Sequence, residues 1–281
     1  MRFTKMHGAG NDYVYVDCVS QPPPPDPAGL ARRISDRHTG VGADGLILIH
    51  RSQIADARMQ MFNADGSPGE MCGNGIRCVA KYLFDRGHVL RPRMTIETGR
   101  GPLELELTLK HAVVDRVRVN MGRPVYAADA IPTLLPGEPP LDVPMSVGAR
   151  TLAVCCVSFG NPHCVVFTEE LTDELVRVLG PQIESHPLFP QRVNVGFARV
   201  DTPGDVQLRV WERGAGETQA CGTAASAALV TGVLTGRLHR RVVVQLPGGA
   251  LALEWDASDD VYLTGPAVEV FTGNWPADGR L

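Results

Sequence analysis

Two of the seven cysteines sit in a context that suits proton chemistry at carbon. Cys72 lies in FNADGSPGEMCGNG, which starts at Phe62, and Cys221 lies in WERGAGETQACGTA, which starts at Trp211. Each is preceded by a Gly-rich stretch and followed by an apolar run. The runs at 76–86 (IRCVAKYLFDR) and 224–234 (AASAALVTGVL) predict helices, which places both thiols at helix N-termini. There the positive end of the helix dipole and the unsatisfied amides pull a thiol pKa down from roughly 8.5 toward neutrality. The amides of Gly73-Asn74-Gly75 and Gly222-Thr223-Ala224 also form an anion site suited to a carboxylate. Two such thiols could racemise an amino acid, a thiolate removing the α-proton from one face while a thiol delivers another from the opposite face. A single base would tend to return the proton to the face it came from. Neither step requires a metal or a prosthetic group, and the two thiols would titrate as a coupled pair. Cys18, Cys78, Cys155, Cys156 and Cys164 lie in apolar segments without a Gly-bounded helix start and read as small buried hydrophobes.

The elements that must position these thiols form an internal repeat of five ordered echoes. GNDYVYVD (10–17) resembles GNPHCVVF (160–167), with Asn11 and Asn161 separated by 161 − 11 = 150. TGVGAD resembles VNVGFA, and the two cysteine segments match with 221 − 72 = 149. TGRGPLELEL from Thr98 echoes LPGGALALEW from Leu246, and VNMGRP echoes YLTGPA. The repeat implies two homologous lobes related by a pseudo-twofold axis, with a ligand cleft between them and the paired cysteines opposed across it. The lobes are expected over 1–120, with 267–281 returning to the first, and over 121–266. A Pro-rich stretch at 121–144 reads as the linker and QPPPPDP (21–27) as a surface loop. Alternating apolar residues predict strands at 13–16, 103–109, 113–119, 242–246 and 251–255, so the class is mixed α/β of the α+β type.

The repeat breaks where charge enters. Glu212 and Arg213 precede Cys221 by nine and eight residues, where Asn63 and Ala64 precede Cys72. Arg213 could hold a carboxylate in a forked pair and Glu212 an ammonium group. His163 gains interest from its repeat position opposite the Asn11 loop.

Composition narrows the function classes. At 281 residues, 44% hydrophobic and 21% charged, the chain is an ordinary globular protein of two units. A net charge of −4 without any basic run speaks against nucleic acid. No stretch approaches the roughly 20 apolar residues of a membrane span, and the N-terminal segment has no signal-type apolar run, so a cytoplasmic protein is expected. Seven scattered cysteines with no CxxC disfavour a disulfide framework or a zinc site. Only Lys5, Lys81 and Lys110 are available as Schiff-base nucleophiles, and none has a suitable context, so no pyridoxal phosphate is expected. Neither GAGND nor TGVGADG sets a complete GxGxxG after a strand, and no GxxxxGK[ST] occurs, so nucleotide binding is set aside. The expectation is an enzyme with no cofactor and no metal.

MHGAGNDYVYVD, RHTGVGADGL, FNADGSPGEMCGNGIRC, SFGNPHCVVF, RVNVGFARV and WERGAGETQACGTAA closely resemble the diaminopimelate epimerase family, nearly end to end. The resemblance implies conversion of LL-2,6-diaminopimelate to the meso form in bacterial lysine and peptidoglycan-precursor synthesis. It implies that each lobe is a curved, barrel-like mixed sheet around a central helix, that the last strand returns to the first lobe, and that the protein is a homodimer. Carried over by residue, Cys72 and Cys221 match the catalytic pair, donor and acceptor in the LL-to-meso direction. Asn11, Asn63, Asn161, Asn194, Glu212 and Arg213 match side-chain substrate contacts. Gly73, Asn74, Gly222 and Thr223 match the helix-start carboxylate cradles, and His163 and Glu212 match groups that tune the cysteines. One departure is visible: many members carry Gln where this chain has Gly45. The nearest rival is a proline- or hydroxyproline-type racemase of the same superfold, against which Glu212-Arg213 argues, since a rigid imino acid has no distal ammonium and carboxylate. A thiol redox switch, a metal-binding protein and a non-catalytic binding protein are the rivals from other classes.

Overall fold

A computed structural model describes residues 1–69 and 72–276. The described chain divides into two compact units, Met1–Val119 together with the described residues from Gly265 on, and Asn120–Thr264. The first unit carries β1 (Arg2–Gly8), β2 (Asn11–Asp17), α1 (Pro27–Ser35), β3 (Gly45–His50), β4 (Ala57–Asn63), β5 (Pro68–Gly69), α2 (Gly73–Asp85), β6 (Arg93–Thr98), β7 (Gly101–Lys110) and β8 (Val113–Gly122). The second carries β9 (Val143–Val147), β10 (Arg150–Ser158), β11 (Pro162–Phe167), a π-helical segment (Glu174–Leu179) continuing into α3 (Gly180–Glu184), β12 (Asn194–Thr202), β13 (Asp205–Glu212), β14 (Gly216–Thr218), α4 (Gly222–Leu234), β15 (Arg241–Leu246), β16 (Gly249–Trp255) and β17 (Val261–Pro266). The last strand, β18 (Val268–Asn274), pairs antiparallel with β1.

The pairings repeat strand for strand. β1 and β2 are antiparallel, β2 and β3 parallel, β3 and β4 antiparallel, and β4 and β6 parallel. In the second unit β10 and β11 are antiparallel, β11 and β12 parallel, β12 and β13 antiparallel, and β13 and β15 parallel. A parallel step needs a long crossover, and the helical segments supply it. β9 lies on β10 as β18 lies on β1. In each unit the mixed sheet packs on one central helix, α2 against β1, β2, β6 and β7, and α4 against β10 to β13 and β16. No helix among the described residues is long and apolar enough to cross a membrane.

The central helices begin earlier than their apolar runs predict, at Gly73 rather than 76 and at Gly222 rather than 224. Glycine is a poor helix former, so its presence hides the first turn from a propensity reading. The loop expected at 21–27 ends at Asp26, whose carboxylate accepts from the Gly29 amide and caps α1, while Pro27 takes the first helical position. The segment expected as a linker is shorter than 121–144, because β8 runs to Gly122 and β9 starts at Val143.

Candidate active site

In the first unit Cys72 is the N-cap of α2, in extended conformation, and its Sγ accepts from the Gly75 amide at 3.3 Å. The first helical bond runs from the Ile76 amide to the Cys72 carbonyl, so the amides of Gly73 and Asn74 precede the helical ladder. The Cys72 thiol donates to Asn11 Oδ1 at 3.2 Å, and Asn74 Nδ2 donates to the same oxygen at 3.3 Å. Asn11 opens β2 after a turn in which Ala9 and Gly10 both have positive φ. Its Nδ2 donates to Asp44 Oδ2 at 2.6 Å. Asp44 also accepts from the Asp12 amide at 3.0 Å and from Arg37 at 2.8 Å, and Arg37 and the buried Lys5 converge on Asp12. Burial works to raise the Asp12 carboxyl, but Arg37 and Lys5 outweigh it and hold the group below the usual carboxylate range. Asp44 moves the other way, raised by burial and by the neighbouring Asp12 charge. Asn63, at the end of β4, donates through Nδ2 to Ser67 Oγ at 2.9 Å.

In the second unit Cys221 is the N-cap of α4 in the same extended conformation, 7% exposed, with its Sγ 3.4 Å from Thr223 Oγ1. Asn161 Nδ2 donates to that hydroxyl at 3.3 Å, while its Oδ1 meets His163 Nε2 at 3.1 Å. His163 is fully buried and its Nδ1 has no hydrogen-bond partner. Burial, assisted by the positive charge of Arg213, lowers its pKa to about 3, so the ring is neutral at pH 7. A neutral ring with its proton on Nε2 donates to Asn161, which leaves Nδ1 as the unpartnered acceptor. Asn194 donates to the Pro162 carbonyl at 2.8 Å and accepts from the Arg213 amide at 3.0 Å. The Arg213 guanidinium donates to the Gln191 carbonyl at 3.0 Å, and Glu212 Oε1 accepts from Thr218 at 2.5 Å.

The strand registers place these residues in matching rows. Tyr13 on β2 faces Gly45 on β3, which faces Asn63 on β4. On β11 His163 faces Asn194, and the pairing of Val195 with Trp211 sets Asn194 and Glu212 side by side where β12 and β13 end. The second sequence echo is corrected here. Matching TGVGAD to VNVGFA aligns Gly42 with Gly196, whereas the rows align Gly45 with Asn194, an offset of 194 − 45 = 149 that equals that of the cysteines. Gly42 belongs to a turn, with φ of 76°, and Gly196 lies inside a strand, so the shared glycine letter misled the alignment. At Gly45 a Cβ would stand 2.2 Å from the Phe62 carbonyl oxygen, so this backbone has no room for the Gln that the resemblance led us to expect there.

Among residues the sequence did not single out, Asp44 and Thr218 hold Asn11 and Glu212 directly, and Arg77 lies fully buried in α2. The Arg77 guanidinium donates to Gly73 O at 3.0 Å, Asn74 Oδ1 at 2.9 Å and Pro266 O at 3.2 Å. The charged residues flanking the GVG of RHTGVGAD were the available signal for Asp44; nothing in the sequence marks Arg77 as buried. Burial pushes the thiols of Cys18 and Cys78 up to about 11 and that of Cys155 up to about 12; Cys78 and Cys155 are buried as expected, whereas Cys18 is only partly buried. Among the described residues no group of three or more His, Cys, Asp or Glu is placed to hold a metal ion.

Comparison with known proteins places this arrangement in a family. The model described as diaminopimelate epimerase matches residues 3–127 and 155–270. The diaminopimelate epimerase of Moorella thermoacetica is 50% identical over 279 residues, covering 99% of this chain and 100% of that protein. That of Desulforudis audaxviator is 52% identical, covering 98% and 99%. Among solved structures, a probable proline racemase from Agrobacterium radiobacter superposes with a TM-score of 0.70 at 18% identity, covering 97% of this chain and 92% of that one. A phenazine biosynthesis protein from Bacillus anthracis reaches 0.67 at 17% identity, covering 97% and 98%. These last two show the shared fold alone. With a family model matched over most of its length and relatives at half identity from end to end, the chain belongs to the diaminopimelate epimerase family.

Proposed function

We propose that this protein epimerises LL-2,6-diaminopimelate to meso-diaminopimelate by a two-cysteine acid-base mechanism without cofactor, in the cytoplasm, for lysine and peptidoglycan-precursor synthesis. The observation that carries the reading is the equivalence of Cys72 and Cys221: each is the extended N-cap of the central helix in its own copy of one topology. In the LL-to-meso direction Cys221 takes the α-proton as a thiolate and Cys72 returns one to the opposite face, and the roles exchange in reverse. The amides of Gly73, Asn74, Gly222 and Thr223 cradle the α-carboxylate, on which the carbanion's charge is stabilised. Asn11, Asn63, Asn161, Asn194, Glu212 and Arg213 contact the substrate, with Glu212 and Arg213 answering the ammonium and carboxylate of the distal centre. His163 tunes Cys221 as a neutral ring rather than as a cation, through the Asn161 amide that also reaches Thr223.

This role requires α-carbon exchange. Reduced, metal-free protein with LL-diaminopimelate in heavy water is expected to yield meso product carrying α-deuterium, read by NMR. Folded protein with reduced thiols that gives neither inversion nor exchange would remove this substrate and move proline-type amino acids to the front. The reading includes a homodimer, for which the exposed Val268, Val270 and Phe271 on β18 offer an apolar face. Light scattering that returned the single-chain mass of 30.3 kDa would remove that part.

A further inference from the structure

The Asn11 amide stands between a carboxylate on one side and a thiol on the other. A carboxylate can only accept hydrogen bonds, so the contact with Asp44 at 2.6 Å requires that Asn11 present its NH2 there. Its carbonyl oxygen must then face Cys72 and Asn74, which is how it stands, 3.2 Å from the thiol. Asp44 cannot turn away easily. Its Oδ2 also holds the Asp12 amide and its Oδ1 holds Arg37, which in turn grips Asp12, and Asp12 is anchored by the buried Lys5. The backbone reinforces the arrangement, since the Asp44 amide donates to the Asp12 carbonyl at 2.7 Å.

A carbonyl oxygen facing a cysteine favours the protonated form, because it accepts from S–H and repels a thiolate. We propose that Asp44 is a positioning residue that locks the Asn11 amide with its carbonyl on Cys72 and so keeps this cysteine protonated, ready to donate. The proposal rests on the reading of Cys72 as a proton donor in the reaction above. Cys72 and Cys221 then differ at rest for a reason built into the scaffold. In the second unit the corresponding Asn161 turns its NH2 toward the helix start and its carbonyl toward His163, the reverse orientation. Among the described residues, Tyr13, Tyr15, Cys78 and the Arg77 guanidinium also interact electrostatically with Cys72, and the variants below leave all four in place.

The test is the pH dependence of alkylation by iodoacetamide at each cysteine, read by peptide mass spectrometry on the folded full chain, which needs no turnover. Asp44→Asn frees the Asn11 amide to turn its NH2 toward sulfur but also removes a negative charge. Asn11→Ala removes the carbonyl and keeps that charge. Both variants are expected to speed Cys72 alkylation about tenfold at a pH below the wild-type titration, the equivalent of one pKa unit, while the Cys221 profile stays in place. An unchanged Cys72 profile in folded Asn11→Ala would overturn the proposal, as would an equal shift at Cys221. Were Asp44→Asn to unfold, Asn11→Ala alone would decide. Absence of epimerase activity in the wild type would count against the proposed reaction and leave this readout intact.

Discussion

The two units use one topology to build chemically different ends. In the first, the row Tyr13, Gly45, Asn63 is uncharged and includes a residue with no side chain; in the second, the row His163, Asn194, Glu212 holds a buried imidazole and a carboxylate. The central helices diverge in the same way. α4 is buried along Gly222–Gly232 without interruption, whereas α2 carries Arg77 fully inside and Lys81, Tyr82 and Asp85 toward the outside. Arg77 and Ser226 occupy equivalent places, 226 − 77 = 149, and make the same bond to the carbonyl four residues back, Gly73 O or Gly222 O, each at 3.0 Å. The two units share matching helix starts with a cysteine on each, and the residues around those starts differ. That asymmetry fits the proposed reaction, whose substrate has one reacting and one distal centre.

If the cysteines are equivalent in chemistry as they are in position, Cys72→Ala and Cys221→Ala should each lower epimerisation by about 10³-fold or more, the upper range for a positioned acid or base, in a coupled assay of meso product. A single variant that kept inversion would break the pairing. The next contrast lies in the helices. Arg77→Ala removes a donor from three oxygens and opens a cavity, an expected loss of about 3–5 kcal/mol by urea titration, whereas Ser226→Ala should cost under about 1 kcal/mol. Equal costs would mean that the buried guanidinium does no more than its serine counterpart. At Gly45, introducing Gln is expected to destabilise the first unit by roughly 1–3 kcal/mol and to lower activity, because the new Cβ meets the Phe62 carbonyl. Gain of activity would show that the strand can yield.

The smallest effect concerns pH. His163 has a folded pKa of about 3 against an ordinary value near 6.5, so below pH 6.5 the unfolded chain binds a proton that the folded one refuses. The unfolded state is then favoured, and stability falls as pH drops from about 6.5 toward 3, with a slope from this residue of up to about 1.4 kcal/mol per pH unit. Above 6.5 the residue adds no pH dependence. His163→Gln should flatten that acid limb in thermal melts taken between pH 4 and 6; an unchanged limb would mean that the ring takes up its proton in the folded state.

Much of this was legible from the residues. The placement of Cys72 and Cys221 at helix starts follows from glycine-bounded apolar runs, and the repeat follows from ordered echoes at an offset near 150. Sequence reasoning lost the first turn of each helix to glycine, and it matched Gly42 to Gly196 because a turn glycine and a strand glycine look alike as letters. Long-range partners were out of its reach. Asp44 lies 33 residues from Asn11, and only the parallel pairing of β2 with β3 brings them together.

Local pattern therefore determined which residues stand at the two helix starts, because helix starts, turns and apolar periodicity depend on near neighbours in the chain. The tertiary structure decided what each of those residues faces. The orientation of the Asn11 and Asn161 amides, the neutrality of His163 and the closed space at Gly45 all depend on atoms supplied by strands distant in sequence. Burial and hydrogen-bond geometry are properties of those assembled contacts and have no signature in the order of the residues.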